Sequence, residues 1–144
     1  MKKKVLREEI IKSKLAKISD TLDVIEENLP KDFDEFENSR LIRDAVYKEI
    51  EFSIETILDI CNIINKDLSL GIPETEETII NNLEKKKIFS KSVINLIIEM
   101  KKFRNILIHK YGEIDDELAF ETIRDGLKDI EFIIKEVEIF LKKH

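Results

Sequence analysis

The feature that most constrains this chain is an apolar residue at every third or fourth position over almost the whole sequence. This spacing predicts amphipathic α-helices, because it places the apolar side chains on one helix face. Only three glycines and two prolines occur in 144 residues, whereas an all-β fold needs many turns. The sequence therefore predicts an all-α fold, with residues 1–144 forming a single domain.

The pattern predicts four long helices and a short one, packed as an antiparallel up-and-down bundle. The first helix carries an apolar stripe from Ile11 to Leu29 and is closed by Pro30. The second is expected to run from near Asp34 to about Asn65. A loop over Lys66–Thr75 and a short helix over roughly Glu76–Lys86 should follow.

Capping residues predict the ends of the last two helices. Ser90 is placed to cap one of them, which should end at Gly112 because glycine favours the left-handed conformation there. Asp115 is predicted to cap the last helix, whose core-facing stripe begins at Leu118. Gly126 costs about 1 kcal/mol relative to alanine, so we expect close packing against a neighbouring helix. The helix after Ser90 is expected to bury Val93, Leu96, Ile97, Met100, Phe103 and Leu107.

The composition argues against several classes of protein. Hydrophobic residues make up 42% of the chain, which is enough for a core and argues against disorder. The single cysteine, Cys61, excludes a disulfide framework and a cysteine-based zinc site, and its apolar surroundings predict burial. No apolar run approaches the roughly 18 residues of a membrane span, and no hydrophobic signal core follows Met1–Lys4. We therefore expect a cytoplasmic protein with no membrane association.

Charge is unevenly distributed along the chain. The formal net charge is −6, which argues against a strongly basic nucleic-acid binder. Between Lys85 and Tyr111, however, eight basic residues and one acidic residue give a net charge of +7. Contacts to phosphate need such a local field, although a solvated lysine-rich helix face is the alternative. Any RNA contact is therefore expected to be confined to this segment.

Histidine chemistry depends on His109, because the other histidine, His144, is the final residue. Arg104 precedes His109 by five residues, which is about 140° around a regular helix and about 7.5 Å along it. The two side chains meet only if the helix distorts or a second copy supplies the missing group. Acid–base cleavage of RNA favours a second copy, because one group deprotonates the 2′-hydroxyl and another protonates the leaving 5′-oxygen. Tyr111 or Lys110 is the alternative second group.

A purely structural interpretation is also open on these residues. His109 near a helix C-terminus is favoured by the helix dipole when it is protonated. Asn105 lies four residues before His109 on the same face, so its amide could orient the imidazole. Arg104 would then pair with a carboxylate of the second helix, that is Glu51, Glu55 or Asp59.

The segment Arg104–Gly112 reads R-N-I-L-I-H-K-Y-G, and it resembles the R-N-x-x-x-H-x-Y motif of HEPN domains, specifically the HepT toxin family, also called DUF86. Arg40, Ala45–Val46 and Glu55–Asn62 resemble the second helix of that family. Leu83–Ser90 resembles the lead-in to its motif helix. The resemblance covers nearly the whole chain.

This resemblance implies a HEPN-like homodimer that acts as an endoribonuclease without a metal ion or a cofactor, in a cleft at the dimer interface. It implies that Arg104 stabilises the charged phosphorane, that His109 transfers protons and that Asn105 supports the site. It also implies the toxin of a type VII-like HepT/MntA pair. The antitoxin of such a pair is a minimal nucleotidyltransferase that adenylylates the motif tyrosine, here Tyr111.

Acidic residues of the second helix and lysines beside the motif are also expected to take part in the site. Glu55 and Asp59 face in one direction on the second helix and are predicted to support the motif arginine, with a solvated stripe as the alternative. Contacts to RNA are predicted for Lys101, Lys102 and Lys110. The alternative function is a non-catalytic helical subunit that binds a minimal nucleotidyltransferase and presents Tyr111 to it.

Overall fold

The computed structural model describes residues 5–109 and 111–144, with only the backbone of Tyr111. Over these residues the chain contains six α-helices, one 3₁₀ turn and no strand, which confirms the all-α fold. The 3₁₀ turn Tyr111–Glu113 lies between the last two helices. The helices are α1 (Glu8–Asn28), α2 (Phe33–Asn38), α3 (Arg40–Asp67), α4 (Glu76–Lys85), α5 (Lys91–His109) and α6 (Asp116–Lys142).

The long helices α1, α3, α5 and α6 pack side by side with alternating direction. Arg7, before α1, binds Asp67 at the end of α3, with Nη2 and Oδ1 2.9 Å apart, so α1 and α3 are antiparallel. Phe89, before α5, contacts Phe140 near the end of α6, with ring centroids 5.9 Å apart. Helix α3 contacts both α1 and α5, and α6 closes the bundle by contacting the same two helices.

The apolar stripes of these helices meet in a continuous core. Ile18 of α1, Ile64 of α3 and Ile97 of α5 are all buried there. Burying each such side chain stabilises the fold by about 1.5–3 kcal/mol. Cys61 is buried as predicted, and burial raises the pKa of its thiol to about 12, so it packs as a small apolar residue.

The second predicted helix is divided in two. Its start near Asp34 is confirmed, because Asp32 caps α2: its Oδ1 accepts a hydrogen bond from the Glu35 backbone N–H at 2.9 Å. The expectation of one continuous helix was wrong, because the chain leaves helical geometry at Ser39 and then begins α3.

Aromatic packing covers the end of the bundle where α2 lies. The ring of Phe36 is fully buried, with its centroid 5.7 Å from that of Tyr47 and 5.0 Å from that of Phe120. The Tyr47 hydroxyl donates a 2.6 Å hydrogen bond to Asp116, and burial raises the tyrosine pKa well above its usual range. These contacts fix the first turn of α6 against α3.

Helix α4 is anchored to the end of α3 by two amide side chains. Asn65 is buried and its Nδ2 donates to the Gly71 carbonyl at 3.1 Å. Asn82 of α4 donates from Nδ2 to Asn65 Oδ1 at 3.0 Å. Gly71 permits this approach, because a Cβ at that position would lie 2.5 Å from Nδ2 of Asn82.

The caps of the last two long helices are confirmed, but the predicted end of α5 is wrong. The Ser90 hydroxyl accepts the Val93 N–H at 3.4 Å, and Asp115 Oδ1 accepts the N–H three residues later at 3.1 Å. Gly112 lies inside the 3₁₀ turn rather than directly after the helix. The non-glycine residues with left-handed backbones after α3 and α4 are Ser69 and Lys87.

Candidate active site

Arg104 lies on the core side of α5 and is only 9% exposed. Its guanidinium meets the carboxylate of Glu76 on α4, with Nη1 3.0 Å from Oε2 and Nη2 2.6 Å from Oε1. The pKa of Arg104 is raised from its ordinary value, chiefly because Glu76 accepts these hydrogen bonds. The arginine therefore has a partner on α4, not on the second predicted helix.

The acidic residues predicted to support Arg104 occupy different positions. Glu55 is half-buried on α3, and its charge, together with that of Glu51, also raises the pKa of Arg104. Asp59 is exposed and pairs with Lys14 of α1 at 3.7 Å. The structure thus places Glu55 near Arg104 and pairs Asp59 elsewhere.

Asn105 is half-buried and binds its neighbour in the chain. Its Oδ1 accepts hydrogen bonds from Nε of Arg104 at 3.2 Å and from Nη2 at 2.9 Å. Among the described contacts, no hydrogen bond joins Asn105 to His109. The amide therefore holds the guanidinium, whereas the sequence suggested that it could orient the imidazole.

His109 is the last residue of α5, and its side chain is exposed. Because α5 stays α-helical through His109, the expected separation of about 140° from Arg104 is not removed by a helix distortion. The ring of His144 contacts that of Phe140 at the opposite end of the bundle, with the centroids 4.5 Å apart and the planes tilted by 45°. Lys110 and the side chain of Tyr111 lie outside the described residues.

Ion pairs neutralise part of the basic segment. Lys101 pairs with Glu77 of α4, and Lys102 pairs with Glu99 at 3.4 Å. Lys91 also pairs with a carboxylate of α4 at 2.8 Å. The net charge of +7 counted between positions 85 and 111 therefore overstates the local field, because acids from earlier in the sequence fold against it.

An open apolar groove runs between α5 and α6. Its volume is about 560 Å³, and its walls include Leu96, Met100, Phe103, Ile106, Leu118 and Ile123. Leu118 is 60% exposed and Ile106 is 42% exposed, so the predicted core position of Leu118 was wrong. Gly126 also lines the groove, and a Cβ there would meet no atom within 4 Å, which contradicts its predicted close packing.

Glu76 and Glu77 are the site residues that the sequence did not single out. Both follow the capping residue Thr75, whose side chain accepts the Thr78 N–H at 3.1 Å. Acidic residues in a first helical turn are favoured by the helix dipole alone, so they carry no sign of a distant partner. A pairing across 28 residues, as between Glu76 and Arg104, has no local signature.

The described ranges hold neither a metal-binding cluster nor a membrane-spanning helix. No three histidine, cysteine or acidic side chains there form a group that could hold a metal ion. Among the helices of those ranges, none combines the length and the apolar character needed to cross a bilayer.

Comparisons with known proteins agree on one family. A family model described as Ribonuclease HepT-like matches residues 18–137. The "mRNA nuclease HepT" of Shewanella oneidensis is 25% identical over 126 residues, covering 88% of this chain and 94% of that protein. The "Putative RNase MJ1380" of Methanocaldococcus jannaschii is 34% identical over 117 residues, covering 81% of this chain and 83% of that protein. A solved tri-AMPylated HEPN toxin of Shewanella oneidensis, in complex with an MNT antitoxin, is similar with a TM-score of 0.81 and 25% identity, covering 90% of this chain and 97% of the other.

Proposed function

The chain belongs to the HepT-like ribonuclease family, and on that premise we propose that it is an endoribonuclease toxin that cuts RNA without a metal ion. The placement of the motif carries the proposal: Arg104 is held rigidly near the end of α5, and the imidazole of His109 is exposed on its last turn. Cleavage needs a cation for the charged phosphorane and a group that moves protons. The two motif side chains supply these groups.

The proposed reaction is an internal transesterification. His109 takes the proton of the 2′-hydroxyl, and the 2′-oxygen attacks the adjacent phosphorus. The bond from phosphorus to the 5′-oxygen breaks, and a second acid protonates that oxygen. Arg104 donates a hydrogen bond to a non-bridging oxygen, where negative charge develops. The products are a 2′,3′-cyclic phosphate and a 5′-hydroxyl.

The second acid is proposed to come from a second copy of the chain in a homodimer. Each chain has one histidine at this end of the bundle, and Arg104 and His109 diverge on a regular helix. The groove between α5 and α6 suits this copy, because it is apolar and extends to Ile106, which lies between the two motif residues.

RNA contacts are proposed for the lysines beside the motif. The side chain of Lys102 is exposed, and its pairing with Glu99 on the surface is weak enough to yield to a phosphate. Lys101 is engaged by Glu77 and must leave that carboxylate before it reaches RNA. Lys110 follows His109 directly and is assigned the same role from its position in the sequence.

A cleavage assay tests this function. In the presence of EDTA, the purified protein should cut labelled RNA, whereas His109→Ala and Arg104→Ala should not. His144→Ala is the matched control and should cut normally, because His144 lies at the other end of the bundle. Arg104→Lys should restore little, since lysine lacks the planar fork. Equal cutting by wild type and His109→Ala would reveal a contaminating nuclease and refute the assignment.

The proposed partner is a nucleotidyltransferase antitoxin like MntA, which neutralises the toxin in the cytoplasm by adenylylating Tyr111. Support comes from the similar HEPN toxin that is tri-AMPylated and bound to an MNT antitoxin. The chain has two tyrosines, and Tyr47 is buried with its hydroxyl bonded to Asp116. Tyr111 is therefore the tyrosine left for modification.

The same support favours a second candidate function, a non-catalytic subunit that only presents Tyr111 to its partner. Mass spectrometry after incubation with such a nucleotidyltransferase and ATP should find AMP on the peptide that contains Tyr111, and none on Tyr111→Phe. If adenylylation proceeds while RNA stays intact under all conditions, the subunit function replaces the nuclease.

A further inference from the structure

The Arg104 guanidinium is held on two of its edges. A guanidinium has five N–H donors. Glu76 accepts one hydrogen bond from Nη1 and one from Nη2, and Asn105 accepts from Nε and Nη2. Among the described contacts, one N–H, on Nη1, has no acceptor and remains for a ligand. The plane of the group and the direction of this donor are thus fixed before any substrate arrives.

Burial makes Glu76 necessary for this arrangement. The side chain of Arg104 is only 11% exposed, and a buried cation without a counter-charge is costly. Asn105 contributes a neutral oxygen, so it offers no compensating charge. Glu51 and Glu55 lie near enough to affect Arg104 electrostatically, but they accept no hydrogen bond from it. Glu76 is therefore the carboxylate that determines where the guanidinium lies.

The position of Glu76 is itself built into the fold. It is the first residue of α4, directly after the cap Thr75. Helix α4 is fastened to α3 through Asn65 and Asn82. These contacts fix the helix from which Glu76 projects, so they keep its carboxylate within reach of Arg104.

We propose that Glu76 is a positioning residue for Arg104, orienting the free Nη1–H toward the phosphate of bound RNA. Its negative charge opposes RNA binding, so its contribution is orientation and not attraction. A correctly aimed donor acts on the charge that develops in the transition state. This step rests on the proposed nuclease function for its catalytic consequence, whereas the orientation of Arg104 does not depend on that function.

Glu77 provides the matched control. It lies on the same helical turn, pairs with Lys101, and has a side chain that is 66% exposed. Glu76→Gln and Glu77→Gln each remove one negative charge from the same surface. Only Glu76→Gln replaces a two-oxygen acceptor of Arg104 with an amide that has a single acceptor oxygen.

The kinetic test compares these two variants with wild type. Glu76→Gln should lower kcat by about 10- to 100-fold, because a misplaced catalytic group loses its alignment. KM should stay equal or fall, since a repulsive charge has been removed. Glu77→Gln should lower KM further, because it also frees Lys101 to bind RNA. The control for kcat is Glu74→Gln, which removes a negative charge from an exposed side chain just before α4 and should leave kcat unchanged. A Glu76→Gln kcat equal to that of Glu74→Gln, or above wild type, would overturn the proposal.

A second measurement is independent of activity. Nitrogen-15 NMR of arginine side chains should show slow rotation about the Cζ–Nη bonds of Arg104. The Arg104 signal is assigned as the one that disappears from the spectrum of Arg104→Lys. Rotation should become fast in Glu76→Gln and stay slow in Glu77→Gln. Unchanged rotation in Glu76→Gln refutes the positioning role, whether or not RNA is cut. If wild type cuts no RNA while the rotation changes as expected, the nuclease function fails and the orientation of Arg104 by Glu76 stands. Glu76→Asp replaces Glu76→Gln in both measurements if the latter does not fold.

Discussion

The two flanks of α5 contrast sharply. On the flank toward α4, the cations Arg104 and Lys101 each meet a carboxylate of the same chain. On the flank toward α6, Phe103 and Ile106 border an open groove of about 560 Å³. The charged side chains of the first flank are paired within the chain, whereas the second flank exposes apolar side chains to solvent.

This difference separates two roles along one helix. The satisfied flank holds Arg104 in a fixed orientation, which suits a group that must act on a transition state. The open flank gains by burial, since covering apolar surface stabilises an association by about 25 cal/mol per Å² before the costs of association. His109 is exposed at the end of this helix, where both flanks stop. We therefore expect disruption of the open flank to abolish assembly and disruption of the closed flank to disturb the chain itself.

The largest effect is expected for Leu118→Glu in the groove. If a second copy covers this surface, the buried carboxylate should weaken the dimer by about 3 kcal/mol, which is roughly 100-fold in Kd. RNA cleavage should fall with the dimer, because the second acid is lost. Analytical ultracentrifugation over a concentration series measures the first effect, and the EDTA cleavage assay measures the second.

Leu41→Glu is the control for this substitution. Leu41 is an apolar residue on α3 that is 86% exposed and lies outside the groove. The same change of side chain there should leave both the dimer and the cleavage rate unaltered. A Leu118→Glu protein that sediments and cuts like Leu41→Glu would show that the groove is not the dimer surface.

Local pattern was enough to predict most of the fold. The 3–4 spacing placed Ile18 and Ile97 in the core, and the cap at Asp115 located the start of α6. It failed at Ser39, because the apolar spacing on both sides fits one continuous helix whereas the backbone leaves helical geometry between α2 and α3. Periodicity also assigned Leu118 to the core, because a residue that faces an open groove has the same spacing as one that faces the interior.

The candidate site was predictable only in part. The motif identified Arg104, Asn105 and His109 as a group, and a carboxylate partner for Arg104 was expected on the second helix. The partner of Arg104 was not predictable, because Glu76 lies 28 residues away on a different helix. Long-range ion pairs depend on how helices pack, and the spacing within each helix does not encode that packing.

The closed flank is tested by comparing Glu76→Ala with Glu77→Ala. Glu76→Ala removes two of the four described hydrogen bonds of a buried guanidinium, so the free energy of unfolding should fall by about 1–3 kcal/mol. Glu77→Ala should cause a smaller fall, because the Glu77 side chain is 66% exposed and water can replace its carboxylate as the partner of Lys101. Urea denaturation followed by circular dichroism measures both. Equal stability of the two variants would mean that the flank is no more ordered at Arg104 than at Lys101.

The smallest effect is expected for Gly126→Ala, which tests how much of the groove on the open flank the second copy covers. Gly126 lies within α6 and lines the groove, and a Cβ there would meet no atom of its own chain within 4 Å. In the monomeric Leu118→Glu background, Gly126→Ala should therefore raise the free energy of unfolding by about 0.5–1 kcal/mol, the gain in helix propensity. In the dimer the added methyl group would occupy space that the second copy fills. The same substitution should therefore raise the Kd of the dimer, although it stabilises the monomer. An unchanged Kd beside that gain would place the second copy away from Gly126 and confine the contact to the Ile106 end of the groove.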